Sequence, residues 1–171
     1  RGYGNSGGKP SEQGLYLDGI AAWEYLVRIR QVDPAKVILF GRSLGGAVAA
    51  HVASISNPCA LILESTFTSA GDLGRELFPF FPVKMLLRHE FDTLSKIRSV
   101  KFPVMVIHSR EDDIIPFELG KSLYDLINSP EKEILIIRGD HNTGFWESRE
   151  IYLEGIELFL TKVLENDAHG R

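Results

Sequence analysis

The sequence predicts an α/β protein, built from a parallel sheet with helices on both faces. Four short apolar runs typical of buried strands recur along its 171 residues, and helical patterns lie between and after them. This alternation is typical of strand–helix–strand units, which arrange their strands in parallel. A chain of this length, with 44% hydrophobic residues, fits one domain with its own core.

The chain begins with a loop, a helix and a strand. Residues 1–10 are rich in glycine, asparagine, serine and proline, so we expect a loop there. A helix is predicted over residues 14–31, because four apolar residues recur on one helical face: Tyr16, Ile20, Trp23 and Val27. Pro34 ends this helix. Residues 37–40 are β-branched or large and apolar, which predicts a strand buried on both faces.

The rest of the chain repeats this pattern. The next helix is predicted by an apolar stripe of Leu44, Val48, Val52 and Ile55. Further buried strands are predicted at residues 60–63, 104–108 and 134–137, and further helices at residues 117–127 and 147–164. Residues 66–97 lose the regularity and are interpreted as an irregular insertion within the single domain of residues 1–171. This insertion is a candidate lid over the site, with simple packing as the alternative.

Composition excludes several classes of function. The net charge is −4 and no basic run is interleaved with aromatic residues, so we expect no nucleic acid partner. The single cysteine, Cys59, excludes an intrachain disulfide and a cysteine-based zinc site. It is compatible with a reducing compartment, so we expect a cytoplasmic protein. No apolar stretch approaches the ~20 residues needed to span a bilayer.

Residues 41–45 read Gly-Arg-Ser-Leu-Gly and match the pattern G-x-S-x-G between a predicted strand and a predicted helix. In such a turn the serine backbone is strained, and we expect glycine at positions 41 and 45 because strand and helix approach closely there. Ser43 is therefore a candidate nucleophile. The helix that begins at Leu44 directs free N–H groups to the same place, so the Leu44 N–H is a candidate oxyanion donor. The alternative is a turn that only packs or binds a phosphate.

A serine nucleophile needs a base to take its proton and an acid to orient that base. His141 is the candidate base, because it follows the predicted strand 134–137 at the C-terminal edge of the sheet, where parallel α/β proteins place their sites. The remaining histidines are interpreted as structural or solvated: His51, His89, His108 and His169. Three adjacent carboxylates follow the third strand, and composition leaves the choice of acid open among them: Glu111, Asp112 and Asp113.

Four ordered motifs carry a resemblance to a known family. They are RGYGNSGGKPSEQGLYLDGIAAWEYL, VILFGRSLGGAVAAHVAS, FPVMVIHSREDDIIP and GDHN. With them the chain resembles the α/β-hydrolase superfamily, and more narrowly the α/β-hydrolase-domain proteins related to fission-yeast Bem-type proteins and to protein depalmitoylases. The resemblance covers nearly the whole chain except residues 66–97. It implies an α/β-hydrolase fold, of which the C-terminal four strands are present.

The resemblance also implies roles in the site. The family pattern H-G-x-x-D-x-x-(I/V)-P, laid on residues 108–116, places the acid at Asp112, with Asp113 as the second choice. Ser109 stands where the family usually has glycine. The implied activity is that of a serine hydrolase of the carboxylesterase or thioesterase type, which cleaves a small-molecule acyl ester or thioester through a Ser43–His141–Asp112 triad. No metal and no cofactor are implied.

Substrate contacts are predicted at two aromatic residues. Tyr3 lies in the family's R-G-Y-G turn, and Phe67 follows the second predicted strand. Tyr3 has loop packing as its alternative role. An aromatic cluster in the insertion either lines an acyl pocket with Phe67 or forms its own small core: Phe78, Phe80 and Phe81.

A second class of function stays open beside the hydrolase. Family members carry further strands ahead of the position of Arg1, and the loop after their third strand supplies the second oxyanion N–H. We therefore expect an N-terminally truncated domain, and the alternative function is a non-catalytic α/β-hydrolase-like domain that binds a partner or a lipid. A nucleotide-binding doubly wound domain is disfavoured, because the G-x-G-x-x-G spacing is absent.

The predicted strand 37–40 has a consequence for assembly. In the family's strand order it lies beside the third strand, which this sequence does not contain. Its outer edge is expected to be bare, and no proline or lysine inside residues 37–40 blocks pairing with another chain. We therefore expect self-association through this edge.

Overall fold

The computed structural model describes residues 1–80 and 87–168, so Phe81 and His169 lie outside the described residues. The first part of the chain contains α1 (Glu12–Glu24), a π-helical turn (Tyr25–Ile29), a 3₁₀ turn (Pro34–Lys36), β1 (Ile38–Arg42), α2 (Leu44–Ile55) and β2 (Ala60–Glu64). The second part contains α3 (Ala70–Leu77), α4 (Thr93–Ile97), β3 (Val104–Ser109), α5 (Phe117–Leu126), β4 (Lys132–Ile137), α6 (Gly144–Glu147) and α7 (Arg149–Ala168).

The described strands form one parallel sheet in the order β1-β2-β3-β4. In its register, Ile38 pairs with Ala60, Leu61 with Val104, and Val104 with Lys132. Because all strands point the same way, their C-terminal ends meet at one edge of the sheet, where an α/β protein places its site. The predicted parallel sheet is confirmed.

Helices cover both faces of this sheet. Along β2 and β3 every residue is buried, and successive side chains alternate between two cores. One core joins alternate residues of both strands to α2, α4 and α5, and it includes Leu61, Leu63, Val104 and Val106. The other joins the intervening residues to α7, and it includes Ile62, Met105 and Ile107. Burial on both faces explains why these strands read as continuous apolar runs.

The two outer strands differ from the prediction of burial. β1 is partly exposed, and the Phe40 residue is 48% exposed, so the prediction that residues 37–40 are buried on both faces is wrong. β4 begins earlier than predicted, at Lys132, and Ile136 is 40% exposed. The reason is position, since an outer strand has a packed neighbour on one side only. Among the described strands β1 pairs with β2 alone, so its outer edge is unpaired, as expected.

Helix α1 begins and ends earlier than the predicted range 14–31. Ser11 sets its start, because Ser11 Oγ accepts a hydrogen bond from the Gly14 N–H at 3.1 Å. Of the apolar residues on the predicted face, Tyr16 is buried and the other three are half-buried. Close packing on α2 is possible because a Cβ at Gly19 would lie 2.7 Å from a Val48 methyl.

The segment between residues 66 and 97 contains the short helices α3 and α4 in its described part. Its return toward α4 is held by α1, because the Glu12 carboxylate accepts hydrogen bonds from the Glu90 and Phe91 N–H groups at 2.8 and 3.0 Å. Its role as a lid stays a prediction. In the parts of the chain that the structure describes, no helix has both the length and the apolar character needed to cross a bilayer.

Candidate active site

Ser43 occupies the sharp turn between β1 and α2. Its backbone has φ 52° and ψ −125°, a region that residues with a side chain rarely adopt. The Ser43 N–H donates to the Glu64 carbonyl at 2.9 Å, and the Ser43 carbonyl accepts from Thr66 Oγ1 at 2.7 Å. Such a conformation costs about 1–3 kcal/mol and persists only where the surroundings impose it. The strained strand-to-helix turn predicted from the motif is present.

Close packing requires glycine at two positions around Ser43. A Cβ at Gly41 would lie 2.4 Å from the Gly45 carbonyl oxygen, and a Cβ at Gly46 would lie 2.5 Å from Thr66 Oγ1. A Cβ at Gly45 would meet no described atom within 4 Å. The predicted steric need for glycine at position 45 is therefore wrong. The constraint falls on Gly46 instead, because that residue contacts the loop after β2.

The Leu44 N–H is placed as a helix-terminal donor. Leu44 is the first residue of α2, and the first N–H groups of a helix have no acceptor inside it and carry partial positive charge. No backbone carbonyl in the described residues accepts this N–H. A donor is thus available beside Ser43, where the sequence predicts the oxyanion donor.

His141 and Asp112 form a buried hydrogen-bonded pair. His141 Nδ1 lies 2.9 Å from Asp112 Oδ2 and 3.0 Å from Oδ1, and the two side chains are 6% and 0% exposed. Burial alone raises the pKa of the Asp112 carboxyl, but hydrogen bonds from the Ile115 N–H, the His141 ring and the Ile114 N–H hold this pKa below its ordinary value. Because an ionised carboxylate only accepts, Nδ1 carries the proton, and Nε2 is left as the basic nitrogen.

The two other carboxylates after β3 hold the loop that carries His141. Glu111 Oε2 accepts from the Gly139 N–H at 2.9 Å, and Asp113 Oδ1 accepts from the His141 N–H at 3.1 Å. Among these three acids, Asp112 is the one whose carboxylate bonds to the ring. The three carboxylates therefore divide, with one on the imidazole and two on the backbone.

The last two residues of β3, His108 and Ser109, also contact the loops that carry Asp112 and His141. His108 is fully buried, and its Nε2–H donates to the Ile115 carbonyl at 2.9 Å while lying 3.5 Å from Asp112 Oδ2. Burial lowers the pKa of His108, which agrees with the structural role predicted for it. Ser109, at the position where the family usually has glycine, donates through Oγ to the Gly139 carbonyl at 2.5 Å.

Ser43 and His141 follow β1 and β4 at the same edge of the sheet. No hydrogen bond joins Ser43 Oγ to His141 within the described residues. The link between them runs through Arg42, whose Nη2 donates to the His141 carbonyl. Catalytic hydrogen bonds are often long or absent before substrate binds, so this separation is compatible with a triad.

A cavity of about 250 Å³ opens beside Leu44. Most of its lining is apolar and includes Tyr3, Pro10, Leu15, Leu44, His89 and Phe91. Tyr3, a predicted substrate-binding residue, is thus in the wall. Phe67 is buried in the core cluster that also contains Phe91, and it does not line the cavity. Phe78 and Phe80 are exposed. They do not line this cavity, and they belong to no core cluster of the described residues.

Sequence reasoning missed a polar network behind the site. Glu64 is buried, and its carboxylate accepts from Arg42 Nε at 3.1 Å and from the Tyr152 hydroxyl at 2.6 Å. The signal that could have found Glu64 is a charged residue directly after the apolar run 60–63, because a buried charge needs partners. Arg42 occupies a variable position of the motif, which hides it from pattern reasoning.

The parallel sheet, the strained serine turn and the Asp112–His141 pair define a protein of the α/β-hydrolase superfamily. Residues 2–165 match the prolyl oligopeptidase family, and the chain belongs to that family. The predicted superfamily and fold are confirmed.

One relative agrees with the superfamily, and one solved structure agrees with the fold. The chain is 39% identical over 162 residues to an uncharacterized protein of Mycobacterium tuberculosis, covering 95% of this chain and 58% of that protein. It is 34% identical over 165 residues to α/β hydrolase domain-containing protein 17B of Xenopus tropicalis, covering 96% and 55%. The structure is similar to Pyrococcus furiosus esterase Pf2001, with a TM-score of 0.76, 21% identity and coverage of 95% and 68%. The chain thus spans somewhat more than half the length of these two curated relatives.

Proposed function

We propose that this protein is a serine hydrolase that cleaves an acyl ester or thioester, with Ser43, His141 and Asp112 as its catalytic triad. The observation that carries the proposal is the Asp112–His141 hydrogen bond at the same sheet edge as the strained Ser43 turn. Burying an ionised carboxylate against an imidazole costs free energy, and packing alone does not need it. It orients the ring and stabilises the imidazolium that forms when Nε2 takes the serine proton. Membership of the prolyl oligopeptidase family supports a hydrolase.

In the proposed reaction, Ser43 Oγ attacks the substrate carbonyl carbon while His141 Nε2 takes the hydroxyl proton. The electron pair of the C=O bond moves to oxygen, which the Leu44 N–H stabilises. When the intermediate collapses, the C–O or C–S bond breaks and the proton passes from Nε2 to the leaving group. The acyl group stays on Ser43 until water, activated by the same histidine, releases it as the acid.

The cavity beside Leu44 supports a small apolar acyl group. Its volume of about 250 Å³ lies below the range of about 300–1,000 Å³ that is usual for drug-sized ligands. Tyr3, Leu15 and Phe91 present apolar surface in its wall. We propose that the acyl chain enters here, with Tyr3 in contact with it.

The oxyanion site has one donor from this part of the fold, the Leu44 N–H. In α/β-hydrolases a second N–H comes from the loop after the third strand, ahead of the region that this chain matches. Loss of one donor lowers turnover by about 10²–10³. The second candidate function, a non-catalytic binding domain, is favoured by the absence of a Ser43–His141 hydrogen bond in the described residues.

Labelling with a fluorophosphonate probe separates the two functions. The probe reacts with a serine that has a functional base, so we expect stoichiometric labelling at Ser43, located by mass spectrometry of the digested protein. Ser43→Ala should abolish labelling and keep the fold, because glycines and backbone hydrogen bonds set the turn. A folded parent chain that stays unlabelled would favour the binding domain.

Two further proposals concern the whole molecule. The composition, with a single cysteine, supports a cytoplasmic location. The unpaired edge of β1 supports self-association between copies of this chain.

A further inference from the structure

Glu64, at the C-terminal end of β2, contacts both halves of the proposed site. Its backbone carbonyl accepts the Ser43 N–H at 2.9 Å, which helps to fix the strained turn. Its side-chain Oε1 accepts from Arg42 Nε at 3.1 Å. One residue therefore holds the nucleophile through its backbone and the neighbouring arginine through its carboxylate.

Arg42 extends this connection to the histidine. While Nε donates to Glu64, Nη2 donates to the His141 carbonyl. A guanidinium can serve two acceptors at once, because its N–H groups form a rigid planar fork. The His141 N–H is held by Asp113 at 3.1 Å, so both polar backbone groups of His141 are fixed by charged side chains.

Tyr152 of α7 holds the other oxygen of Glu64. Its hydroxyl donates to Oε2 at 2.6 Å, and its ring packs edge-on against Phe145 with centroids 5.0 Å apart. Burial and this hydrogen bond raise the pKa of the Tyr152 phenol, so the hydroxyl stays a donor at neutral pH. With Arg42 on one oxygen and Tyr152 on the other, the buried carboxylate has little freedom to turn.

We propose that Arg42 and Glu64 are positioning residues that set the distance between Ser43 and His141. The inference rests on the proposed serine hydrolase function. Arg42 precedes Ser43 directly in the chain, so its hydrogen bond to the His141 carbonyl ties the nucleophile turn to the base across the width of the sheet. Loss of this hydrogen bond leaves the Asp112–His141 pair intact, and it allows the whole pair to move away from Ser43.

The test measures how fast a fluorophosphonate probe labels Ser43 in three variants of the chain. Arg42→Met removes both hydrogen bonds, and it should slow labelling by about 10²-fold, the effect of displacing a reacting group by about 1 Å. Glu64→Gln keeps an acceptor and should slow labelling less. The matched control is Arg28→Met, which removes an exposed arginine of the π-helical turn that pairs with Glu24, and it should keep the parent rate.

Chemical rescue distinguishes positioning from simple stabilisation. In Arg42→Ala, added methylguanidinium can occupy the vacated space and bridge the same two acceptors, so labelling should recover as its concentration rises. Methylammonium, a point charge without the planar fork, should recover it much less. Thermal unfolding, measured in the same samples, shows whether the variant is folded while its labelling recovers.

Each outcome bears on the inference. Labelling of Arg42→Met at the parent rate overturns it. Slow labelling of Arg42→Ala that methylguanidinium does not restore, with a lowered unfolding midpoint, also overturns it in favour of a structural role. If the parent chain is folded but never labelled, the proposed function fails and the inference fails with it.

Discussion

The two sides of the candidate site are held to different degrees. After β3 and β4, the His141 ring is bound by Asp112, its N–H by Asp113 and its carbonyl by Arg42. After β1, the Leu44 N–H has no backbone acceptor in the described residues, and the cavity beside it is open to solvent.

The difference follows from where each side gets its partners. The side that carries Asp112 and His141, here called the proposed proton-transfer side, takes most of its partners from three consecutive carboxylates in the loop after β3, next to the His141 loop. The side that carries Ser43 and the Leu44 N–H, here called the nucleophile side, is held through the Ser43 backbone by Glu64 and Thr66, at the end of β2 and in the loop after it. Within the described residues, the ring, the N–H and the carbonyl of His141 are therefore all held, whereas the Leu44 N–H on the other side has no backbone acceptor.

The largest expected effect is on the proton-transfer side. Asp112→Asn should lower turnover of an activated ester by up to ~10⁴-fold, because the His141 ring loses its orientation. Asp113→Asn should change turnover little, since an amide oxygen can still accept the His141 N–H. Steady-state kinetics of both variants checks this. Equal losses, or a larger loss in Asp113→Asn, would contradict the assignment of the acid.

On the nucleophile side, the glycines should divide into required and tolerant positions. Gly41→Ala should lower the free energy of unfolding by about 1–3 kcal/mol, because its Cβ would press on the backbone of Gly45. Gly45→Ala should stabilise α2 by up to about 1 kcal/mol, since its Cβ meets open space. Urea unfolding monitored by circular dichroism measures both. A destabilised Gly45→Ala would restore the original steric expectation.

Among the described strands both β1 and β4 have an unpaired outer edge, and we expect the two to differ in how much they contribute to self-association. Phe40→Lys should reduce self-association, because it places a charge on the exposed part of β1. Ile136→Lys should have little effect, since β4 already begins with the charged pair Lys132 and Glu133. We expect a change of about tenfold in the association constant for Phe40→Lys, equivalent to about 1.4 kcal/mol. Light scattering over a concentration series tests this, and a parent chain that stays monomeric at high micromolar concentration would refute it.

The smallest expected effect is on the pH dependence of the free energy of unfolding, through His108, which is buried near the end of β3. Burial lowers the pKa of His108, so the unfolded chain binds a proton first as pH falls through the ordinary value of about 6.5. The contribution of this histidine to the free energy of unfolding is fully present above that pH. Below it the free energy decreases by at most about 1.4 kcal/mol per pH unit for one proton. His108→Gln should flatten this slope, leaving the part due to His51, whose pKa burial also lowers. An unchanged slope in urea titrations of His108→Gln would show that other groups cause it.

Much of the site could be predicted because its signals are local. The serine turn depends on glycines within a few residues of Ser43, and the resemblance to a family pointed to Asp112, whose carboxylate bonds to the His141 ring. The burial of β1 and β4 could not be predicted, because an apolar run reads alike in a central and in an outer strand. Gly46 was missed because its constraint comes from Thr66, a residue on another strand's loop.

The sequence by itself determined the parallel α/β class, the strained serine turn and the identity of the candidate base, since each depends on periodicity or on neighbours along the chain. The tertiary structure alone decided that three adjacent carboxylates divide between the His141 ring and its loop. It alone also joined Arg42, Glu64 and Tyr152 into one network. Hydrogen bonds between residues distant in the chain leave no periodic trace in the sequence, because only folding brings their atoms within about 3 Å.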